Sequence, residues 1–213
     1  MGLRRYLVFL CWSPIFGQVV TAGFTAGVPV TETFESGYSF CESGLTARTV
    51  RYTIGPALDF RVFGPLRGEI DALYQPFSFQ TQIVDCAPAP TYIHTHGSLW
   101  QFPVLLKLRI PAPVVKPFIE AGISVQLAAG VTESQYNLVQ RTPVTYHLEP
   151  NAVPGFVAGG GVEFHFRSLI FAPEIRYTRW FDQNFTPLGE PPPGSNLNQL
   201  QILLSIRVPP QHL

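Results

Sequence analysis

The sequence predicts an all-β protein, an eight-stranded antiparallel up-and-down transmembrane β-barrel with a polar interior. Three observations carry this. Strand-length segments alternate strictly between apolar and polar residues, which is the period-two pattern of β-structure. The polar face mixes both charge signs with glycine and alanine, whereas the other face holds large aliphatic and aromatic side chains. Connections alternate long, short, long, which sorts all long loops to one end and all short turns to the other, as in barrels that cross a membrane.

Composition sets the limits. The 213 residues fit one domain, with 46% hydrophobic and 13% charged residues, and the formal net charge is zero. Zero net charge gives no electrostatic reason to expect a nucleic-acid partner. No apolar run of helical membrane-spanning length follows the first residues. Those first residues place Arg4 and Arg5 before an apolar run from Tyr6 to Phe16 and then small residues, the pattern of a secretory leader cleaved near Gly17 or Ala22. The expected division is therefore a signal peptide at 1–22 and a barrel domain at 23–213.

The best example of the alternation is Arg48 to Phe77. Tyr52, Ile54, Leu58, Phe60 and Val62 share one face, and Arg51, Thr53, Gly55, Ala57, Asp59 and Arg61 share the other. Gly64 to Gly68 turns the chain into a third strand, where Ile70, Ala72 and Tyr74 oppose Glu69, Asp71 and Gln75. The first strand precedes this pair, with Phe24, Ala26, Val28 and Val30 alternating with Thr25, Gly27 and Thr31. The fourth strand spans Leu99 to Ile110, after a loop from Ser78 to Ser98. The fifth sets Ile119, Ala121, Ile123, Val125 and Leu127 against Glu120, Gly122, Ser124 and Gln126, before a long irregular loop from Ala129 to Pro154 that leaves room for local strand extensions. The sixth and seventh meet at Arg167-Ser168, with Glu163, His165, Glu174 and Arg176 on their polar faces. The eighth, Leu200 to Val208, sets Gln199, Gln201, Ser205 and Arg207 opposite its aliphatic residues.

Parity assigns thirteen residues to an interior network: Arg51, Asp59, Arg61, Glu69, Asp71, Lys107, Arg109, Glu120, Glu163, His165, Glu174, Arg176 and Arg207. Leaving His165 aside, six cations meet six carboxylates. Buried charges are tolerated only when paired, so a balanced set suits an enclosed space. The competing arrangement, a soluble barrel with a greasy centre, would overfill that centre with Leu, Ile, Phe, Tyr and Trp. Tyr52, Tyr74, Trp100, Tyr177 and Trp180 near strand ends fit interfacial girdles and equally fit the general preference of aromatics for strands. Pro56, Pro103 and Pro173 lie within strands, and a closed barrel must accommodate them by bulges or kinks.

The phrases YTIGPALDF at 52–60, WQFPVLLKLR at 100–109, KPFIEAG at 116–122, GFVAGGGVEFHF at 155–166 and PEIRYTRWF at 173–181 resemble small bacterial outer-membrane β-barrel domain proteins of the eight-stranded OmpA/OmpX-like class. The resemblance covers about Gly23 to Val208. It implies export, insertion by the barrel assembly machinery, and residence among outer-membrane lipids. The C-terminus departs from the pattern, since Val208 is followed by Pro-Pro-Gln-His-Leu rather than closing on an aromatic residue.

Candidate chemistry is sparse. Cys41 and Cys86 lie in the first two long loops, on the same external side, and are read as a disulfide candidate. His94 and His96, near Asp85 and Cys86, lack the spacing of zinc sites, so no metal is assigned. His165 with Ser124 or Ser205 on the polar face is the one nucleophile-and-base arrangement to consider, and a structural histidine is the plainer reading. The expectation is a monomeric, non-enzymatic barrel without cofactors, serving a structural or surface-interaction role through long external loops whose ligand is unknown. The alternative is a porin-like small channel or carrier for apolar compounds. An outer-membrane lipid hydrolase ranks third.

Overall fold

A computed structural model describes residues 20–33, 44–48, 51–83, 91–137, 144–147, 152–183 and 195–208. The strands are β1 (Val20–Pro29), β2 (Gly44–Arg48), β3 (Thr53–Phe63), β4 (Leu66–Asp71), β5 (Leu73–Ile83), β6 (Thr91–Arg109), β7 (Val115–Asn137), β8 (Val144–His147), β9 (Ala152–Phe166), β10 (Leu169–Trp180) and β11 (Asn198–Val208). Eight antiparallel staves form the wall: β1, β3, β4 with β5, β6, β7, β9, β10 and β11. The ring closes where β1 meets β11, from Ala22↔Val208 to Pro29↔Gln201.

The polarity of this wall is inverted relative to a soluble protein. Phe24, Ile123 and Ile175 point outward and are 65%, 63% and 57% exposed, while Asp59, Glu69, Lys107, Glu163 and Arg207 point inward and are fully buried. Alternation places them there, because one residue's step along a strand crosses the wall. An eight-stranded barrel has a bore that side chains alone can fill. Gly159 and Gly161 provide the necessary space. A Cβ at Gly159 would stand 2.8 Å from the Glu120 Oε1, and one at Gly161 would stand 2.8 Å from the Phe118 ring.

The three prolines are absorbed differently from expectation. Pro56 lies opposite Ala72 and Pro103 opposite Asp71, so two residues without N–H flank the same point of one stave. There the ladder lapses between β4 and β5, and the Ala72 N–H still donates to the Pro56 carbonyl at 3.0 Å. Pro173 pairs with Leu204 without any register shift. The register shifts that do occur lie elsewhere, between Arg61 and Phe63 and between His96 and Ser98. The second faces Gly130, whose φ of +60° suits glycine.

Strand ends also differ from the sequence reading. Much of the expected loops at Ser78–Ser98 and Ala129–Pro154 is strand, since β5 runs to Ile83, β6 starts at Thr91 and β7 reaches Asn137. β6 and β7 have 19 and 23 residues, against the ~9–11 that a tilted membrane crossing requires. Two further strands lie on this extension, β2 on β5 and β8 on β7. A sheet of order β2-β5-β6-β7-β8 thus rises past the apolar band at the long-loop end. Beyond the band no hydrocarbon meets the outer face, so residues there need not alternate by hydropathy, although Thr95 and Val131 remain buried on the inner side.

A Gly159→Val chain is expected to lose about 1–3 kcal/mol through overpacking against Glu120. Ala158→Val, one residue along and on the outer face, is expected to be neutral. The heat-dependent gel mobility of the refolded proteins across a urea series distinguishes the two.

Candidate functional site

The inward residues nearest the short turns form an ion lattice. Asp59 on β3 meets Arg67 from β4, Arg109 from β6 at 3.3 Å and Arg207 from β11 at 3.3 Å. Glu163 on β9 shares two of these cations, Arg109 at 2.7 Å and Arg207 at 3.2 Å. Glu69 on β4 joins this group to a second one, contacting Arg207, Arg176 at 3.1 Å and Lys107 at 2.6 Å. Arg176 on β10 is the hub of the second group, with Asp71 at 2.8 Å, Glu120 at 3.1 Å and Glu174 at 2.6 Å. The network draws on every stave except β1. That strand is tied in by Thr25, which shares a 2.7 Å hydrogen bond with Ser205 of β11.

Glu69, Glu120 and Glu174 bring oxygens within 4.8 Å of one another, close enough to suggest a cation site. Lys107 already fills it, its ammonium lying 2.6, 3.2 and 3.4 Å from the three carboxylates and 4.2 Å from the Phe118 ring centre. The trio therefore acts as the counter-charge of a lysine.

Farther toward the long-loop end lies an amide cluster that charge-counting missed. Gln101 donates to Gln199 at 3.0 Å, Gln199 donates to Gln75 at 3.1 Å, and Gln75 donates to Thr33 at 3.0 Å. The Trp180 indole N–H donates to Gln199 at 3.2 Å. Trp180 is thus an interior residue, 3% exposed, and not part of a girdle. Its parity with Arg176 and Thr178 was the signal available. On β5, β6 and β11 a leucine separates the ions from the amides along the strand: Leu73, Leu105 and Leu203, each at most 1% exposed, with Val157 of β9 also buried. The interior is accordingly layered, not uniformly polar.

Ten of the thirteen residues assigned by parity join the lattice: Asp59, Glu69, Asp71, Lys107, Arg109, Glu120, Glu163, Glu174, Arg176 and Arg207. Three do not. Arg51 precedes β3, and its side chain is 69% exposed with Glu32 at 4.0 Å. Arg61 is exposed where β3 shifts register before its turn, and His165 is exposed at the foot of β9. Parity holds at strand ends, but enclosure does not. Arg67, assigned to a turn by the sequence reading, takes the place left at Asp59. Five cations meet six carboxylates among the described residues.

The hydrolase arrangement does not assemble around Ser124. That residue pairs with Gly155, ten residues along β9 from His165, a separation of about 33 Å at 3.3 Å per residue. Ser205 is engaged by Thr25 in the barrel wall. His94 and His96 are exposed on either side of the inward Thr95, whereas Asp85, Cys86 and Cys41 lie outside the described residues.

Replacing Arg176 with leucine takes an ion-pair partner from four carboxylates and leaves Asp71 without one, and it is expected to cost about 3–5 kcal/mol. Asp71→Asn should cost far less, because Asp71 has a single ion-pair partner and its Oδ1 accepts no hydrogen bond. Unfolding midpoints in lipid vesicles measure both; equal losses would contradict a hub at Arg176.

No known protein family profile matches the sequence, and no curated protein matches it. Among solved structures, Neisserial surface protein A aligns at 12% identity with a TM-score of 0.45, over 91% of this chain and 97% of that one. The outer-membrane protein OprG of Pseudomonas aeruginosa aligns at 11% identity with a TM-score of 0.45, over 91% and 96%. The N-terminal β-barrel domain of OprF from the same organism gives 10%, 0.43, and 90% and 96%. The chain's own closure, register and inverted polarity make it an eight-stranded antiparallel barrel of the outer-membrane type.

Proposed function

We propose that this chain is an integral outer-membrane protein with a structural or surface-interaction role, carried by the segments at its long-loop end and not by passage of solutes through its centre. The supporting observation is the filled bore. A charged lattice, a leucine-containing belt and an amide cluster follow one another along the axis, and the side chains that form them are buried. A solute crossing here would have to break buried ion pairs. That weighs against both a channel and a carrier working through the lumen. The sheet β2-β5-β6-β7-β8, which extends past the apolar band, supports a surface role, since segments on rigid scaffolds commonly carry binding. The reading includes a monomer, insertion by the barrel assembly machinery, no enzymatic activity and no cofactor.

In planar bilayers the purified protein is expected to give no steady conductance. Sustained, sizeable channels would overturn the sealed interior. Export adds a second test. β1 begins at Val20, and Val20, Thr21 and Ala22 pair with Phe60, Asp59 and Leu58 while Ala22 also pairs with Val208, so a leader cut near Gly17 leaves the strand whole whereas a cut after Ala22 removes these four pairs. The mass of the exported chain is expected to include Val20; a chain starting at Gly23 would contradict that.

A further inference from the structure

The outer wall carries one feature that the sealed interior does not explain. Between β6, β7 and the start of β9 lies an apolar trough of about 560 Å3, lined by Trp100, Phe102, Leu127, Ala128, Ala129 and Ala152. The pairing accounts for it: Trp100 faces Leu127, Ser98 faces Ala129, and Leu127 faces Ala152. Large side chains thus surround a floor of alanines. The rim is held in place, since Trp100 packs edge-on against Tyr74 at 5.3 Å and stacks with Phe102 at 6.3 Å.

We propose that this trough is a binding site for one acyl chain of a membrane lipid, from the leaflet on the long-loop side. The inference rests on the reading that the apolar band faces lipid. The trough continues that band, at the upper end of the outward column Leu108, Leu106, Val104, Phe102 and Trp100 on β6. Its volume falls within the ~300–1,000 Å3 of small-ligand sites. No charged side chain lines it, and the Trp100 indole N–H is the one polar group its lining side chains carry, so it offers a polar solute little, and a hydrocarbon chain is what a bilayer presents at that depth. A concave apolar surface gives such a chain more dispersion contacts than the convex wall around it.

Quenching of Trp100 by brominated acyl chains tests the proposal, taking the signal as the difference between the native protein and Trp100→Phe. The protein is reconstituted in phosphatidylcholine vesicles in which a small fraction of the lipid carries brominated chains. Quenching of Trp100 is expected to exceed the value set by that fraction at least twofold, and to fall back to it in Ala152→Phe or Ala129→Leu, whichever retains the heat-shifted gel band of a folded barrel. Quenching that simply follows the lipid fraction, unchanged by filling the trough, would overturn the acyl-chain site. Loss of the excess on adding decane would assign the trough to free apolar solutes and also overturn it. An absence of quenching in fully brominated vesicles would instead remove the lipid-facing reading beneath it.

Discussion

Pairing of buried charge inside a bore filled by side chains is the constraint on which the rest of this barrel depends. Isolated, each of these carboxylates and cations would cost several kcal/mol to bury. Grouped around Arg176, Arg207 and Lys107, with every carboxylate in ion-pair contact, they become a cross-brace instead. The brace is non-local in sequence: Arg207 reaches Asp59, which lies 148 positions away. Only one closure and one register bring such residues together, because a one-residue slip would turn each ion toward lipid and each aliphatic side chain into the bore.

The layering along the axis follows from the same constraint. Ions cluster where the short turns hold the staves in register, and neutral amides occupy the end from which the strands run on. Leu73, Leu105, Val157 and Leu203 fill the bore as bulky residues with no hydrogen-bonding demand, which makes the interior a core and not a conduit. On the outside, the long β6 and β7 do two things. They provide the apolar column that meets lipid, and beyond it they support a sheet that extends past the band.

Much of this was legible in the sequence. Strict alternation located all eight staves, and their parity identified Asp59, Glu69, Lys107 and Arg207 as interior. Parity could not tell enclosure from mere direction, which is why Arg51, Arg61 and His165 were counted inside while standing at or beyond the mouths of the barrel. Arg67 was hidden by its proximity to Gly64 and Pro65, which read as turn. Strand length was underestimated above the band because alternation by hydropathy reports the contrast between lipid and a polar interior, and beyond the band there is no lipid to make that contrast. The paired prolines at 56 and 103 read as two separate faults, yet they meet at a single point of one neighbouring stave.

The central claim is that the aliphatic face of the strands looks into hydrocarbon. Spin labels at Ile119→Cys, Ile123→Cys and Leu127→Cys along the outer face of β7, in the reconstituted protein, test it most directly. If the wall is inverted as described, dissolved oxygen relaxes all three labels more strongly than a water-soluble nickel complex does. Stronger relaxation by the nickel complex at these three positions would place that face in water and contradict the account.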